Sequence, residues 1–120
     1  MQTSLRPCSE SAIYLNRNKT VIPFDKILRV EGRGNYTAFI LKNNIQVLAS
    51  KTLSFYEPKL PSHFLKIRKG RIINCSYILL PKYKRINEIR MIDGVVLEVA
   101  RRYRLLVKKY LVKWYSSIYS

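Results

Sequence analysis

Residues 64–78 read FLKIRKGRIINCSYI. The first eleven of these hold four basic residues, five apolar ones and no acid. Phe64, Leu65, Ile67, Ile72 and Ile73 surround Lys66, Arg68, Lys69 and Arg71, with Gly70 inside the basic run. The β-branched density on either side predicts two strands. Gly70 allows a tight turn between them, or a close approach of the backbone to a phosphate. An ordinary hairpin with a solvated tip has this pattern, and so does a loop offered to a polyanion. The two readings are compatible, because a turn is how such a loop is presented.

The wider composition favours the polyanion. Twenty-three Lys and Arg face seven Asp and Glu, a net charge of +16 on 120 residues. That excess is well beyond what solubility needs, and it implies nucleic acid, an anionic membrane surface or an acidic protein as partner. Residues 1–58 carry net +4, and residues 59–120 carry net +12. The second half should therefore supply most of the binding surface. With 48% apolar residues the chain can bury a modest core.

Other classes find little support. The acids are scattered without a carboxylate pair, and His63 is the one histidine, in a PSHF turn. A catalytic triad needs more partners than this. GRGN at 32–35 is too short for a phosphate-binding glycine loop, and no P-loop lysine follows it. Cys8, Cys75 and His63 cannot complete a zinc site of about four ligands. We therefore expect no enzyme, metal, cofactor or small-molecule substrate. The cysteine usage and the absence of an apolar leader predict a reduced, cytoplasmic chain. No apolar run approaches the roughly 20 residues of a spanning helix.

Along the chain, residues 1–11 read as a flexible N-terminal segment. Strands are predicted at AIYLN, VIPF, KILRVEG, YTAFILK, IQVLAS, FLKIRK, RIIN, YILLPKY, NEIRMI and VVLEV. Asn43-Asn44 and Asp93-Gly94 mark hairpins, and Pro23 makes its strand short or places it at an edge. Leu53, Phe55, Tyr56 and Leu60 recur near helical spacing, which predicts a short helix over 52–57 with Thr52 as cap. After residue 100 the period changes. Tyr103, Leu106, Val107, Tyr110, Leu111 and Trp114 form one apolar helical face among basic neighbours. The expected fold is mainly β, with one short middle helix and a basic C-terminal helix.

Three basic clusters stand out: Arg29, Arg33 and Asn35; Lys66, Arg68, Lys69 and Arg71; and Arg101, Arg102 and Arg104. One cluster alone usually means a solvated face. Three of them on a +16 chain point to phosphates and base edges.

At these residues the sequence resembles the LytTR DNA-binding domain of bacterial response regulators. The resemblance is carried, in order, by DKILRVEGRGNYTAFIL (25–41), KTLSFYEPKLP (51–61), FLKIRKGRIINCSYI (64–78) and LEVARRYRLLVKK (97–109). It departs from the family pattern where Lys66 replaces Arg, Arg68 replaces His, Gly70 replaces Ser and Arg71 replaces an aromatic. Ala100 stands where Ser is common. Phe64, Ile67, Ile72, Ile73, Asn74, Tyr77 and Ile78 keep the framework.

The resemblance implies small stacked antiparallel sheets. It implies a LytTR-like domain over 12–109 and a C-terminal helix extension over 110–120. It implies that loops, rather than a recognition helix, enter the DNA grooves as part of transcriptional control in a two-component system. Carried over by position, DNA contacts fall on Arg33 and Asn35, on Arg68 and Lys69 flanked by Lys66 and Arg71, and on Arg101 and Arg102. Asn74 is expected to be structural, satisfying backbone groups of the turn that follows. Paired direct repeats would bring two copies together, and the apolar face at Tyr110, Leu111 and Trp114 either packs on its own sheet or serves a homodimer. Family members carry a phosphorylated receiver domain, and eleven residues before the domain leave no room for one. The chain is then either an excised fragment or a stand-alone regulator.

Two other readings stay open: an RNA-binding accessory protein, and a membrane-surface or protein-interaction module built on the basic helix. Exposed aromatics on a sheet would favour RNA. Tyr36, Phe39, Phe64 and Tyr77 read as core positions, which disfavours it.

Overall fold

Antiparallel hairpins build much of the chain. The structure, a computed structural model, describes residues 11–79 and 87–119. They fall into two units, residues 1–62 and 63–120.

The first unit begins with β1 (Ala12–Leu15) paired with β2 (Thr20–Pro23) in a two-stranded sheet. Alternation is clean here. Ile13, Leu15 and Ile22 are buried, while Tyr14 and Val21 are exposed. Pro23 closes β2, where its missing N–H breaks no inner ladder. A 3₁₀ turn, Phe24–Lys26, leads into β3 (Ile27–Arg33), followed by β4 (Tyr36–Leu41) and β5 (Gln46–Ala49). β4 lies between β3 and β5, and its Thr37, Ala38, Phe39 and Ile40 are all buried. A central strand with both faces covered reads as a continuous apolar run, and TAFI is one.

Residue 52 opens a helix, α1 (Leu53–Tyr56), which continues as a 3₁₀ turn over Glu57–Lys59. Thr52 has the extended backbone of a cap, φ −75° and ψ 165°. Its hydroxyl, however, lies 3.1 Å from the Ser54 hydroxyl and caps no N–H. Leu53 and Tyr56 are buried. Tyr56 meets Phe39 of β4 edge-on at 5.3 Å, so the helix is pinned to the sheet by an aromatic pair.

The second unit starts with the hairpin β6 (Phe64–Arg68) and β7 (Arg71–Asn74). Asn74 is 1% exposed. Its Oδ1 accepts the Ser76 N–H at 2.9 Å and starts the 3₁₀ turn Cys75–Tyr77. That is the backbone-satisfying role expected of it. The YILLPKY strand expected next differs. Its described part is this turn plus an isolated bridge from Ile78 to Met91, and its remainder lies outside the described residues. The flexible-segment expectation for residues 1–11 also falls outside them, apart from Ser11.

β8 (Glu88–Arg90) pairs with β9 (Val96–Glu98). A 3₁₀ turn at Arg101–Tyr103 then feeds α2 (Arg104–Tyr119). The buried stripe of α2 is narrower than its sequence suggests. Val107 and Leu111 are buried, while Leu106 is 64% exposed. Burying Val107 and Leu111 contributes about 1.5–3 kcal/mol each. Tyr110 stacks on Trp114, and Trp114 on His63, each at 6.2 Å. Tyr110, Leu111 and Trp114 are thus used inside this unit. Burial pushes the Tyr110 hydroxyl up to about 12 and lowers the pKa of His63.

The two hairpin connections expected at Asn-Asn and Asp-Gly share one design. Leu41 N–H donates to Ile45 O, and Met91 N–H to Val95 O, both at 2.9 Å. Asn44 and Gly94 hold φ of 68° and 87°. The side chains of Asn43 and Asp93 each accept an N–H two residues on, at 3.3 Å. The connection between β4 and β5 is therefore four residues, 42–45, rather than two, because one left-handed residue must complete the turn.

Candidate nucleic-acid interface

The tip of the β6–β7 hairpin is Lys69-Gly70, where Gly70 sits at φ 83°. Left-handed backbone costs an ordinary residue roughly 1–2 kcal/mol, so glycine is the economical choice. The register shifts between Lys66 and Arg68. Such a bulge re-aims the side chains beside it. Arg68 and Lys69 are exposed, and Lys66 and Arg71 are half-buried along the strands.

A second cluster is brought to this strand by one main-chain bond. The Ala100 N–H donates to the Ile67 carbonyl at 2.9 Å. Ala100 then caps the 3₁₀ turn that carries Arg101 and Arg102, both exposed. Two of the three sequence clusters are therefore anchored one residue away from each other on β6. No acid occurs in residues 64–78 or 99–109, so the two segments themselves carry only positive charge.

Its arginines differ in role. Arg102 Nη2 donates to the Tyr103 hydroxyl at 3.3 Å, and its guanidinium carbon lies 5.2 Å from the Tyr103 ring centroid. The hydroxyl raises the Arg102 pKa further. The group is an obligate cation, held beside an aromatic face. Arg104 instead donates from Nε to the Val99 carbonyl at 3.0 Å. It ties down the start of α2 and is a structural member of its cluster. Sequence reading found the cluster but not this division of labour, which depends on where each turn aims its side chains.

The first cluster belongs to the first unit. Arg29, Glu31 and Arg33 alternate along β3 and so share a face. Glu31 lies 3.5 Å from Arg29 Nε and 3.1 Å from Arg33 Nη2. Arg33 Nη1 also donates to Gln46 Oε1 at 3.1 Å. The Glu31 carboxylate raises the Arg33 pKa, first through its hydrogen bond. Arg33 is thus committed within its own sheet, at the end of a strand rather than in a loop. Asn35 is different. It is exposed in the two-residue turn with Gly34, whose φ is 76°. Left-handed backbone at the first turn residue is the pattern of a type II′ hairpin.

Elsewhere, Cys75 is a buried thiol whose pKa burial pushes up to about 12. Among the described residues, no three His, Cys, Asp or Glu side chains group as metal ligands. No described helix is long and apolar enough to cross a membrane. Of the four aromatics read as core, Phe39 is buried, Phe64 and Tyr77 are half-buried, and Tyr36 is exposed at the edge of its turn.

The LytTr DNA-binding domain model matches residues 17–112. Among solved structures, the chain is similar to the LytTr DNA-binding domain of a Bacillus cereus protein described as a methyl-accepting/DNA response regulator. The two share 20% identity and a TM-score of 0.69, over 86% of this chain and 98% of the other. No curated protein matches the chain.

Proposed function

The chain belongs to the LytTr DNA-binding domain family, and we propose that it is a sequence-specific transcriptional regulator that grips double-stranded DNA with turns. The observation that carries this reading is the Ala100–Ile67 bond, which joins the segment with exposed Arg68 and Lys69 to the segment with exposed Arg101 and Arg102, neither of which contains an acid. Arg68 and Arg102 are assigned to base edges. A planar guanidinium can fork onto guanine O6 and N7, and Arg102 is already held by Tyr103. Lys66, Lys69, Arg71 and Arg101 are assigned to phosphates, where a point charge suffices. Asn35 adds a contact from the first unit. Arg33 supports that turn.

Regulation of this kind takes place in the bacterial cytoplasm, as the output of a signalling system. Two copies would occupy direct repeats. The inner stripe of α2 is already covered within its unit, so DNA rather than that stripe brings the copies together.

The test is selection of binding sites from random duplex DNA, followed by competition with single-stranded RNA. One enriched motif, with RNA competing poorly, is the expected result. Preferential RNA binding, or no enriched motif, would overturn the reading. The six cations Lys66, Arg68, Lys69, Arg71, Arg101 and Arg102 all displace counterions, whether they meet phosphates or base edges, and about six displaced predicts a log–log salt slope of about −5.

A further inference from the structure

The first unit contains a cleft of about 1120 Å³ that lies among residues the DNA reading does not use. β1 and its turn form one wall, and Phe55, Tyr56 and residues 58–61 form another, with Ser50 and Lys51 between them in sequence. Arg17, Lys19, Lys51 and Lys59 line it, and none of its described lining residues is acidic.

Three features mark the cleft as more than a solvated basic surface. Phe55 is 46% exposed inside it, although its neighbours Leu53 and Tyr56 are buried. The ring is held edge-on to Tyr56 at 5.0 Å, and Tyr56 is itself fixed against Phe39, so the exposed aromatic is braced by the core. Two ammonium groups lie over that ring, Lys59 Nζ at 4.6 Å and Lys51 Nζ at 5.5 Å from its centroid. Finally, the turn that carries Arg17 holds three consecutive non-glycine residues in left-handed backbone, Asn16, Arg17 and Asn18, at φ 52°, 59° and 66°. Strain of this kind persists only where surrounding structure maintains it, and it concentrates at binding sites.

A planar apolar face in a cleft lined by cations suits a ligand that joins an aromatic ring to an anion. Bases inside a duplex present no free ring face, so duplex DNA does not fit this chemistry. A free nucleotide does. We propose that the cleft binds a nucleotide, with its base stacked on Phe55 and its phosphate held by Lys51, Lys59 and Arg17. Stacking a base on an aromatic is stronger than an exposed cation–π contact. The phosphate would draw the two ammonium groups away from the ring and leave that face to the base.

The test is calorimetric titration of the full chain with AMP, adenosine and inorganic phosphate, beside duplex DNA binding. AMP should bind at one saturable site, at least about tenfold tighter than adenosine or phosphate, since stacking and charge act together. Phe55→Ala should bring AMP down to the level of phosphate. The double change Lys51→Ala with Lys59→Ala, which removes no buried packing, should weaken AMP by a similar factor. Neither should alter duplex affinity. Arg102→Ala should do the reverse, so failure here and failure of the DNA reading are separable. Equal binding of AMP and phosphate would overturn the proposal. So would loss of AMP binding in Arg102→Ala but not in Phe55→Ala, loss of duplex affinity in Phe55→Ala, or Phe55-dependent binding of single-stranded oligonucleotides without binding of AMP.

Discussion

Arg102→Lys isolates geometry from charge on the proposed DNA surface. Arg102 is exposed on the 3₁₀ turn after Ala100, with its guanidinium 3.3 Å from the Tyr103 hydroxyl and over the Tyr103 ring. Lysine keeps the positive charge and much of the length. It loses the planar fork, and a single ammonium cannot present two parallel donors to guanine O6 and N7. The number of neutralised phosphates does not change, so the salt slope should stay near −5, as for the native chain. Discrimination should fall. Loss of one bidentate base contact is worth roughly fivefold to a hundredfold in the ratio of preferred to scrambled duplex. The assay is fluorescence anisotropy on both duplexes across a series of salt concentrations. Arg102→Ala serves as reference; if Arg102 reads a base, it loses the same discrimination. A lysine variant that keeps the full ratio would refute the base-reading role and reduce Arg102 to a phosphate clamp. A slope that flattens by about one would show that the lysine no longer reaches the DNA at all.

Arg33→Gln should leave preferred-duplex affinity within about threefold, because its charge is already engaged by Glu31; a loss of tenfold or more would return Arg33 to the contact surface. Ala100→Ser should stabilise the fold by about 1 kcal/mol, raising Tm by about 4 °C, because Ala100 holds the N-cap of the 3₁₀ turn without a side-chain acceptor. Calorimetry would measure this, and an unchanged or lower Tm would show that the hydroxyl does not cap. His63 stacks on Trp114 with its pKa lowered from 6.5 by burial. Below pH 6.5 the unfolded chain binds the proton more readily, so stability is full above that value and declines as pH falls toward the lowered folded value. Urea midpoints at pH 8 and pH 5 should therefore differ less in His63→Gln than in the native chain, and an equal difference would remove His63 as the source.

Much of the fold was legible because period and turn chemistry are local. The alternation in AIYL and the apolar run in TAFI identify an amphipathic strand and a central one. Asp93-Gly94 identifies a hairpin, and Asn74 a capping side chain. Local signals failed where partners at a distance decided the outcome. Leu106 fits the helical period of α2 as well as Val107 does, yet it faces solvent, because the surface that α2 covers is narrow. That Arg33 meets Glu31 and Gln46 is likewise not visible in its basic cluster. Phe55 has helical spacing with Leu53 and Tyr56 but lies on the open side of a helix only four residues long.

By itself the sequence determined a cationic, mainly β chain of this family, with three basic clusters along it. Net charge, strand period and turn residues are properties of the chain that no packing can change. Tertiary structure decided what each cation touches. One backbone bond sets Arg101 and Arg102 beside the β6–β7 tip, one carboxylate holds Arg33, one carbonyl takes Arg104, and two lysines flank the exposed Phe55. Each of those outcomes depends on a few ångströms between groups far apart in sequence.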